Sequence, residues 1–390
     1  MPTRRALLAL TAASYSRIYG ANGRPGIALV GSGRRGREVM KAFLTSNRCD
    51  FAGLCDIYDA QRKTAVDTLG KPAFETAAFE EVLGRREVDG LLIATPDHHH
   101  LDMASDALRS GKHVYLEKPC LHRLEDGAGL RRAVALSNGK LLHAGQQQRS
   151  GAHYQRAKAE LLDTGKLGKI LFVRTIWSNF PWQSRRIAPR TQPATLDWAR
   201  FIGPAPWVDY QWIRYDSWRY FPDYGGGVLA DIFTHWADVA QWFMNDANPL
   251  NAVASGGAYL FKDDGRANPD TVNAIVQYKD WNLTFESTVG PVRDDRPGLT
   301  FLGTEGTLEI TRADYVYTPQ KGAPQTVKAE GSLEAAHTGN FLDALAGKAR
   351  QTANVNVAFE SCLPQLLARA AYWSGHRARW SSAKGEIAVN

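Results

Sequence analysis

Short, almost wholly apolar runs recur through the first 150 residues, each ending in a polar or glycine-containing turn. Gly26-Ile27-Ala28-Leu29-Val30 enters a glycine turn, Phe51-Ala52-Gly53-Leu54-Cys55 ends at Asp56, and Leu91-Leu92-Ile93-Ala94 ends at Thr95-Pro96. His113-Val114-Tyr115-Leu116 and Leu141-Leu142-His143-Ala144 continue the series. Runs that lack polar alternation suit strands buried on both faces. Between them Arg37 to Ser46 reads as a helix with Val39, Met40, Phe43 and Leu44 on one face, and Leu101 to Ser110 as another, closed by Gly111. Strands alternating with helices predict a doubly wound parallel sheet over residues 25–149.

The rhythm then changes. Tyr154 to Thr164 predicts a helix stopped by Gly165, and Ile170 to Trp177 a strand. An aromatic, proline-containing stretch runs from Phe180 to Tyr224. Alternating patterns at Val272–Tyr278, Asn282–Thr288, Leu299–Gly303 and Thr307–Thr311 predict an antiparallel sheet facing one layer of helices. Phe341–Ala346 and Ser361–Trp373 read as helical. The expected organisation is an N-terminal segment over 1–24, a dinucleotide-binding domain over 25–149 and a substrate-binding α/β domain over 150–390. A chain of 390 residues exceeds one ordinary core and suits two.

Composition narrows the function classes. Hydrophobic content of 44% and charged content of 22% describe a globular chain. The net charge of +7 is mildly basic, but outside the first forty residues no basic run interleaves with aromatics, so a nucleic-acid surface is not expected. Cys49, Cys55, Cys120 and Cys362 have no paired metal-ligand spacing. Paired arginines in Thr3-Arg4-Arg5-Ala6-Leu7-Leu8 precede the apolar Ala9-Leu10-Thr11-Ala12-Ala13, as in a twin-arginine export signal. That run is too short to span a bilayer. Its other reading is a basic arm on a cytoplasmic protein.

The chemistry gathers at predicted strand ends. Gly31-Ser32-Gly33-Arg34-Arg35-Gly36 follows a strand and opens a helix, the context in which glycines let a backbone approach a pyrophosphate. Asp56, 20 residues past Gly36, sits where a carboxylate binds ribose hydroxyls and repels a 2′-phosphate. NAD is the expected cofactor, and Arg62 and Lys63 nearby leave NADP open. Thr95-Pro96-Asp97-His98-His99-His100 reads as a loop packed on the cofactor, with His100 orienting it. Consecutive histidines point apart, so no metal is expected. Lys118, after Glu117 and before Pro119, emerges at the same edge, where an ammonium stabilises an alkoxide. Asp231 and His235, four apart, share a helical face after Gly225-Gly226-Gly227, a plausible carboxylate–base pair. Eight of the 11 tryptophans fall between Trp177 and Trp242, and ring faces suit a sugar's C–H surfaces.

On these motifs, with Gly303-Thr304-Glu305-Gly306-Thr307, the chain resembles the glucose–fructose oxidoreductase and inositol dehydrogenase family (Gfo/Idh/MocA) over nearly its whole length. The resemblance implies a Rossmann domain and an α/β domain whose open, mainly antiparallel sheet forms a homo-oligomer interface. It assigns catalysis to Lys118, Asp231 and His235: His235 takes the hydroxyl proton, Lys118 stabilises the oxyanion, and Asp231 orients His235 or binds a hydroxyl. Gly31, Gly33, Arg34, Arg35, Gly36, Asp56, Thr95, Pro96, His100, Glu117 and Lys118 are expected around the cofactor. Gln147 and Arg149, after the last parallel strand, and the rings of Trp182 and Tyr224 are expected around a sugar, cyclitol or derivative. The leading function is hydride transfer between a secondary alcohol of that substrate and nicotinamide. The alternatives are redox-neutral glycoside cleavage with retained NAD and, third, a non-catalytic sugar or NAD sensor.

Overall fold

The computed structural model describes residues 23–180, 184–292 and 296–389. The twin-arginine motif and Trp182 lie outside the described residues. Six strands, β1 (Gly26–Val30), β2 (Asp50–Cys55), β3 (Phe74–Thr76), β4 (Gly90–Ile93), β5 (His113–Leu116) and β6 (Leu142–Ala144), form a parallel sheet in the order β3-β2-β1-β4-β5-β6. Every residue of β1, β4, β5 and β6 is buried, which is why these strands appear in the sequence as unbroken apolar runs.

The second sheet has ten strands: β7 (Ile170–Ile176), β8 (Asn251–Gly257), β9 (Thr271–Gln277), β10 (Asn282–Thr288), β11 (Gly298–Gly303), β12 (Gly306–Ile310), β13 (Asp314–Pro319), β14 (Gln325–Lys328), β15 (Ala378–Ser381) and β16 (Glu386–Val389). Their order is β14-β13-β12-β11-β7-β10-β9-β8-β15-β16. Neighbours are antiparallel except β7 and β10, which run parallel, so the sheet is mixed. Alternation is clear in β9: Val272, Ala274 and Val276 enter the core while Asn273, Ile275 and Gln277 point outward. The outer face is open and carries Phe172 and Ile275, both nearly half exposed. Among the described residues no helix is long and apolar enough to cross a membrane.

The chain does not divide cleanly at residue 149. Helix Leu333–Leu345 returns to the first sheet and sets Phe341, Leu342 and Leu345 against Val39, Met40, Phe43 and Tyr115. Phe341 packs edge-on against Phe43, with ring centroids 5.8 Å apart. Ala353, Ala358, Cys362 and Leu366 join the core on the other face of the same sheet. An expectation drawn from chain order alone places this tail wholly in the second domain, whereas tertiary packing returns it to the first.

Phe341→Ala is therefore expected to destabilise the parallel-sheet domain by about 3–5 kcal/mol, the cost of deleting a fully buried ring. Denaturant unfolding followed by circular dichroism checks this through a lowered midpoint. An unchanged midpoint would show that the returning helix does not support that core.

Candidate active site at the carboxyl edge of the parallel sheet

The strand order reverses between β1 and β4, and the carboxyl ends of these strands open on a cavity of about 690 Å³. Gly31 leaves β1 with φ of +86°, and a Cβ there would stand 2.8 Å from the Ala94 carbonyl. A Cβ on Gly36 would lie 2.1 Å from the Gly31 oxygen, so helix Arg34–Thr45 packs directly on the turn. Gly33 differs. Its φ of −61° suits any residue, and a Cβ would meet nothing within 4 Å. A side chain there would project into open space at the helix N-terminus, where first-turn N–H groups and a partial positive charge suit a diphosphate. The first turn holds no acid to compete.

Asp56 lines the same cavity, but its carboxylate already organises the turn. Oδ2 accepts from the Ser32 amide at 2.7 Å and the Ser32 hydroxyl at 3.1 Å, and Oδ1 from the Tyr58 amide at 2.9 Å. Burial pushes this carboxyl above the usual carboxylate range, and the three hydrogen bonds oppose that push. The cations that left a 2′-phosphate open have other partners: Arg62 donates to the Asp56 carbonyl and pairs with Asp59, and Lys63 pairs with Asp59 at 2.8 Å.

Arg34 and Arg35 also line the cavity. Arg34 pairs with Glu38 on the surface. Arg35 joins the glycine turn to the Glu-Lys-Pro segment: its Nε and Nη2 each lie 3.0 Å from Glu117 Oε1, and Nη1 lies 3.3 Å from Glu334. Burial disfavours the Arg35 charge, yet Glu117, Tyr115 and Glu334 more than offset it and raise its pKa.

Thr95, Pro96, Asp97 and His99 line the cavity, and the three histidines act as staples. His100 Nδ1 lies 2.8 Å from the Pro119 carbonyl and Nε2 3.1 Å from that of Thr95. Burial lowers its pKa to about 4, so the ring is neutral and its single N–H serves one carbonyl at a time. His98 and His99 both place Nε2 3.0 Å from the Phe201 carbonyl and so tie this loop to the aromatic stretch. Among the described residues no group of three or more His, Cys, Asp or Glu side chains is placed to hold a metal ion.

Lys118, 8% exposed at its side chain, reaches across to the second domain. Its Nζ donates to Asp231 Oδ1 at 2.7 Å and to the Asp231 main-chain oxygen at 2.8 Å. Arg219 Nε lies 3.2 Å from Asp231 Oδ2, so both carboxylate oxygens face cations. Asp231 thus positions Lys118, a role that the four-residue spacing from His235 does not suggest. It sits in a π-helical turn, Leu229–Phe233, which runs into helix Thr234–Met244. Wide turns of this kind recur at functional sites because they re-aim one side chain within a helix. His235 is buried behind this pair, and its Nδ1 has no hydrogen-bond partner among the described residues. Burial, then Lys118, Arg312 and Arg35, hold its pKa well below the ordinary histidine value. Lys118 and Arg219 line the cavity; Asp231 and His235 do not.

The expected substrate side chains are placed differently. Arg149 donates to both oxygens of Asp238, at 3.0 and 2.9 Å, a paired arrangement inside the second domain. Gln147 is buried 3.5 Å from Glu334, with its Oε1 unpartnered. Tyr224 is fully buried in a cluster with Trp198, Phe201 and Phe221, away from the cavity lining. The aromatic stretch instead brings Trp212, Tyr215, Trp218, Arg219 and Tyr220 to the cavity wall. Its ring-rich composition foretold that rings would line a pocket but not which ones, because the short helices Trp198–Ile202 and Trp212–Asp216 decide that.

Known proteins share this architecture. Residues 26–146 match the Gfo/Idh/MocA oxidoreductase family with an NAD-binding Rossmann fold, and residues 154–309 match the Gfo/Idh/MocA C-terminal domain. The 1,5-anhydro-D-fructose reductase of Ensifer adhaerens is 28% identical over 250 residues, covering 64% of this chain and 65% of that protein. The inositol 2-dehydrogenase of Rhizobium meliloti is 26% identical over 64% of each chain. The chain thus matches just under two thirds of these relatives' lengths. Levoglucosan dehydrogenase, solved with NADH and levoglucosan, superposes with a TM-score of 0.71 over 94% of this chain and 99% of that one, and at 16% identity it shows a common fold. With both domains matched in order around one cavity, the chain belongs to the Gfo/Idh/MocA family of oxidoreductases.

Proposed function

We propose that this protein is an NAD-dependent dehydrogenase that oxidises a secondary alcohol on a sugar, cyclitol or derivative. The observation that carries the reading is Lys118, held on the wall of the dinucleotide-type cavity by an aspartate from the other domain. Relatives named 1,5-anhydro-D-fructose reductase and inositol 2-dehydrogenase support it. The bare Gly33, the helix N-terminus, Arg34, Arg35, Thr95 and Pro96 fit a dinucleotide, and Asp56 favours unphosphorylated ribose.

A nicotinamide dinucleotide, when bound, supplies the hydride acceptor. The residues of this chain supply charge and proton. An ammonium has three N–H donors, and Asp231 takes two of those on Lys118. The third is left for a substrate oxygen, where it stabilises the alkoxide character that develops as the hydroxyl proton is withdrawn. His235, whose burial and cationic neighbours favour the neutral ring, is the acceptor for the hydroxyl proton. Asp231 fixes Lys118 rather than the histidine.

Lys118→Ala is expected to lower kcat by about 10²–10³-fold, and His235→Ala by a similar factor, with NADH affinity nearly unchanged. A panel of sugars and cyclitols read by NADH absorbance, with NADH titration by fluorescence, checks both. Full activity in both variants sinks the mechanism, and cleavage of an aryl glycoside without net NADH change sinks dehydrogenation as the net reaction. Asp56→Ala should weaken NAD binding and lower thermal stability together, since the Ser32 amide loses its acceptor. Calorimetry that finds either property unmoved contradicts the double role.

A pH effect follows from Asp97. Burial, with Asp231 adding, raises its pKa to about 7 against the pull of Arg219 and Lys118. Below that value the cavity wall carries a neutral carboxyl; above it, a carboxylate that repels an anionic dinucleotide. NAD affinity should therefore fall as pH rises through about 7 in the wild type and stay flat in Asp97→Asn. Parallel titrations of the two proteins decide it, and identical profiles would remove Asp97 from cofactor binding.

A further inference from the structure

Among the described residues Arg35, Lys118, Arg219 and Arg312 lie around Asp231 and His235, and the first three line the cavity and have carboxylate partners. Arg35 is paired with Glu117 and Glu334, while Lys118 and Arg219 share Asp231. Arg312 is the exception. Among the described residues it has no carboxylate within 4 Å and no hydrogen bond, and its Nε is buried without a partner. Its Cζ lies instead 5.2 Å from the ring of Trp177 and 6.0 Å from that of Trp236, the residue next to His235. The nearest acid in sequence, Asp314, is engaged by Arg296 at 2.8 Å and Lys328 at 2.9 Å.

The root of Arg312 is fixed. It sits in the turn between β12 and β13, where the Thr311 amide donates to the Asp314 carbonyl at 2.8 Å and the Thr311 hydroxyl to Asp314 Oδ1 at 2.9 Å. His153 adds a contact from Nε2 to the Thr311 carbonyl at 3.0 Å. A partly buried guanidinium without a counter-ion gives up solvation at its enclosed Nε, and two ring contacts return only about 0.5–2 kcal/mol each. Burial accordingly depresses the Arg312 pKa. Among the described residues three further buried polar atoms around it have no hydrogen-bond partner: His235 Nδ1, Trp236 Nε1 and Tyr154 Oη. An unpaired fork beside unpaired hydrogen-bonding atoms is a receptor for an oxygen-rich anion.

We propose that Arg312 receives the oxyanion of an acidic sugar, a carboxylate or a phosphate ester, and so selects acidic over neutral substrates. The inference rests on the reading of this site as a sugar dehydrogenase and adds the substrate class to it. Trp177 and Trp236 flank the guanidinium and hold its plane. The sugar ring then extends toward Lys118, with the anion anchored at the far end from the carbinol carbon.

The test uses matched pairs on the NADH- or NAD-loaded protein: uronates, aldonates and sugar 6-phosphates, each beside its neutral parent. Binding is read by calorimetry and turnover by NADH absorbance. The acidic member is expected to win by about tenfold or more in KM or Kd, the scale of a charge-assisted bidentate pair. Arg312→Gln should erase that preference with little change in NADH affinity, and Arg312→Lys should restore part of it. Carboxylate and phosphate arms show which source fits. No preference in the wild type, or equal loss on both members of a pair in the variant, overturns the proposal. Should Arg312→Gln fail to fold, the wild-type preference and Arg312→Lys still decide. Arg312-dependent binding of acids without any turnover sustains the receptor and sinks the dehydrogenase reading. Turnover of neutral sugars alone does the reverse.

Discussion

The site depends on the ion pair between Arg35 and Glu117. Arg35 leaves the first turn of the helix that the glycine turn opens, and Glu117 directly follows β5, one residue before Lys118. Gly145 gives the acid its room, since a Cβ there would lie 3.0 Å from Glu117 Oε1. Glu334, at the start of the returning helix, closes the cluster from outside. Loss of one member of such a buried pair leaves an uncompensated charge at about 3–5 kcal/mol. The cluster of Arg35 with Glu117 and Glu334 therefore ties together the glycine turn, the segment that carries Lys118 and the returning helix.

The second constraint comes from the other domain. The ammonium of Lys118 leaves the parallel sheet, but the carboxylate and carbonyl that hold it belong to the π-helical turn around Asp231. Neither sheet alone contains a competent site. The turn brings both acceptors of Asp231 to one ammonium, and Arg219 from the aromatic stretch steadies the remaining oxygen. The ammonium is therefore held in place by groups from both domains.

Much of this was readable in the sequence wherever local pattern and tertiary role coincide. Buried parallel strands are apolar runs, so β1, β2, β4, β5 and β6 stood out, and with them the strand-end positions of Gly31, Asp56, Thr95 and Lys118. Strand β8, rich in alanine, serine and glycine, and the short hairpin β15–β16 left no such pattern, because pairing with neighbours defines them. The side chains at the site divide in the same way. Lys118 was placed by its strand, but its partner Asp231, the Arg149–Asp238 pair and the burial of Tyr224 depend on residues distant in the chain. The four-residue spacing of Asp231 and His235 gave their shared helix and missed the wide turn in it.

Helix Leu363–Ser374 has a mechanical consequence. Leu366, on one side of it, belongs to the core of the parallel sheet, while Leu367, Ala368 and Ala371 belong to the core of the mixed sheet. A rod shared by two cores acts as a weld rather than a hinge. Opening the two domains about their junction would pull one row of side chains out of a close-packed interior, a far larger cost than bending a linker. Trp212, Tyr215 and Trp218, which wall the cavity, lie outside both of these cores, so the weld fixes how Lys118 meets Asp231 without itself closing that wall.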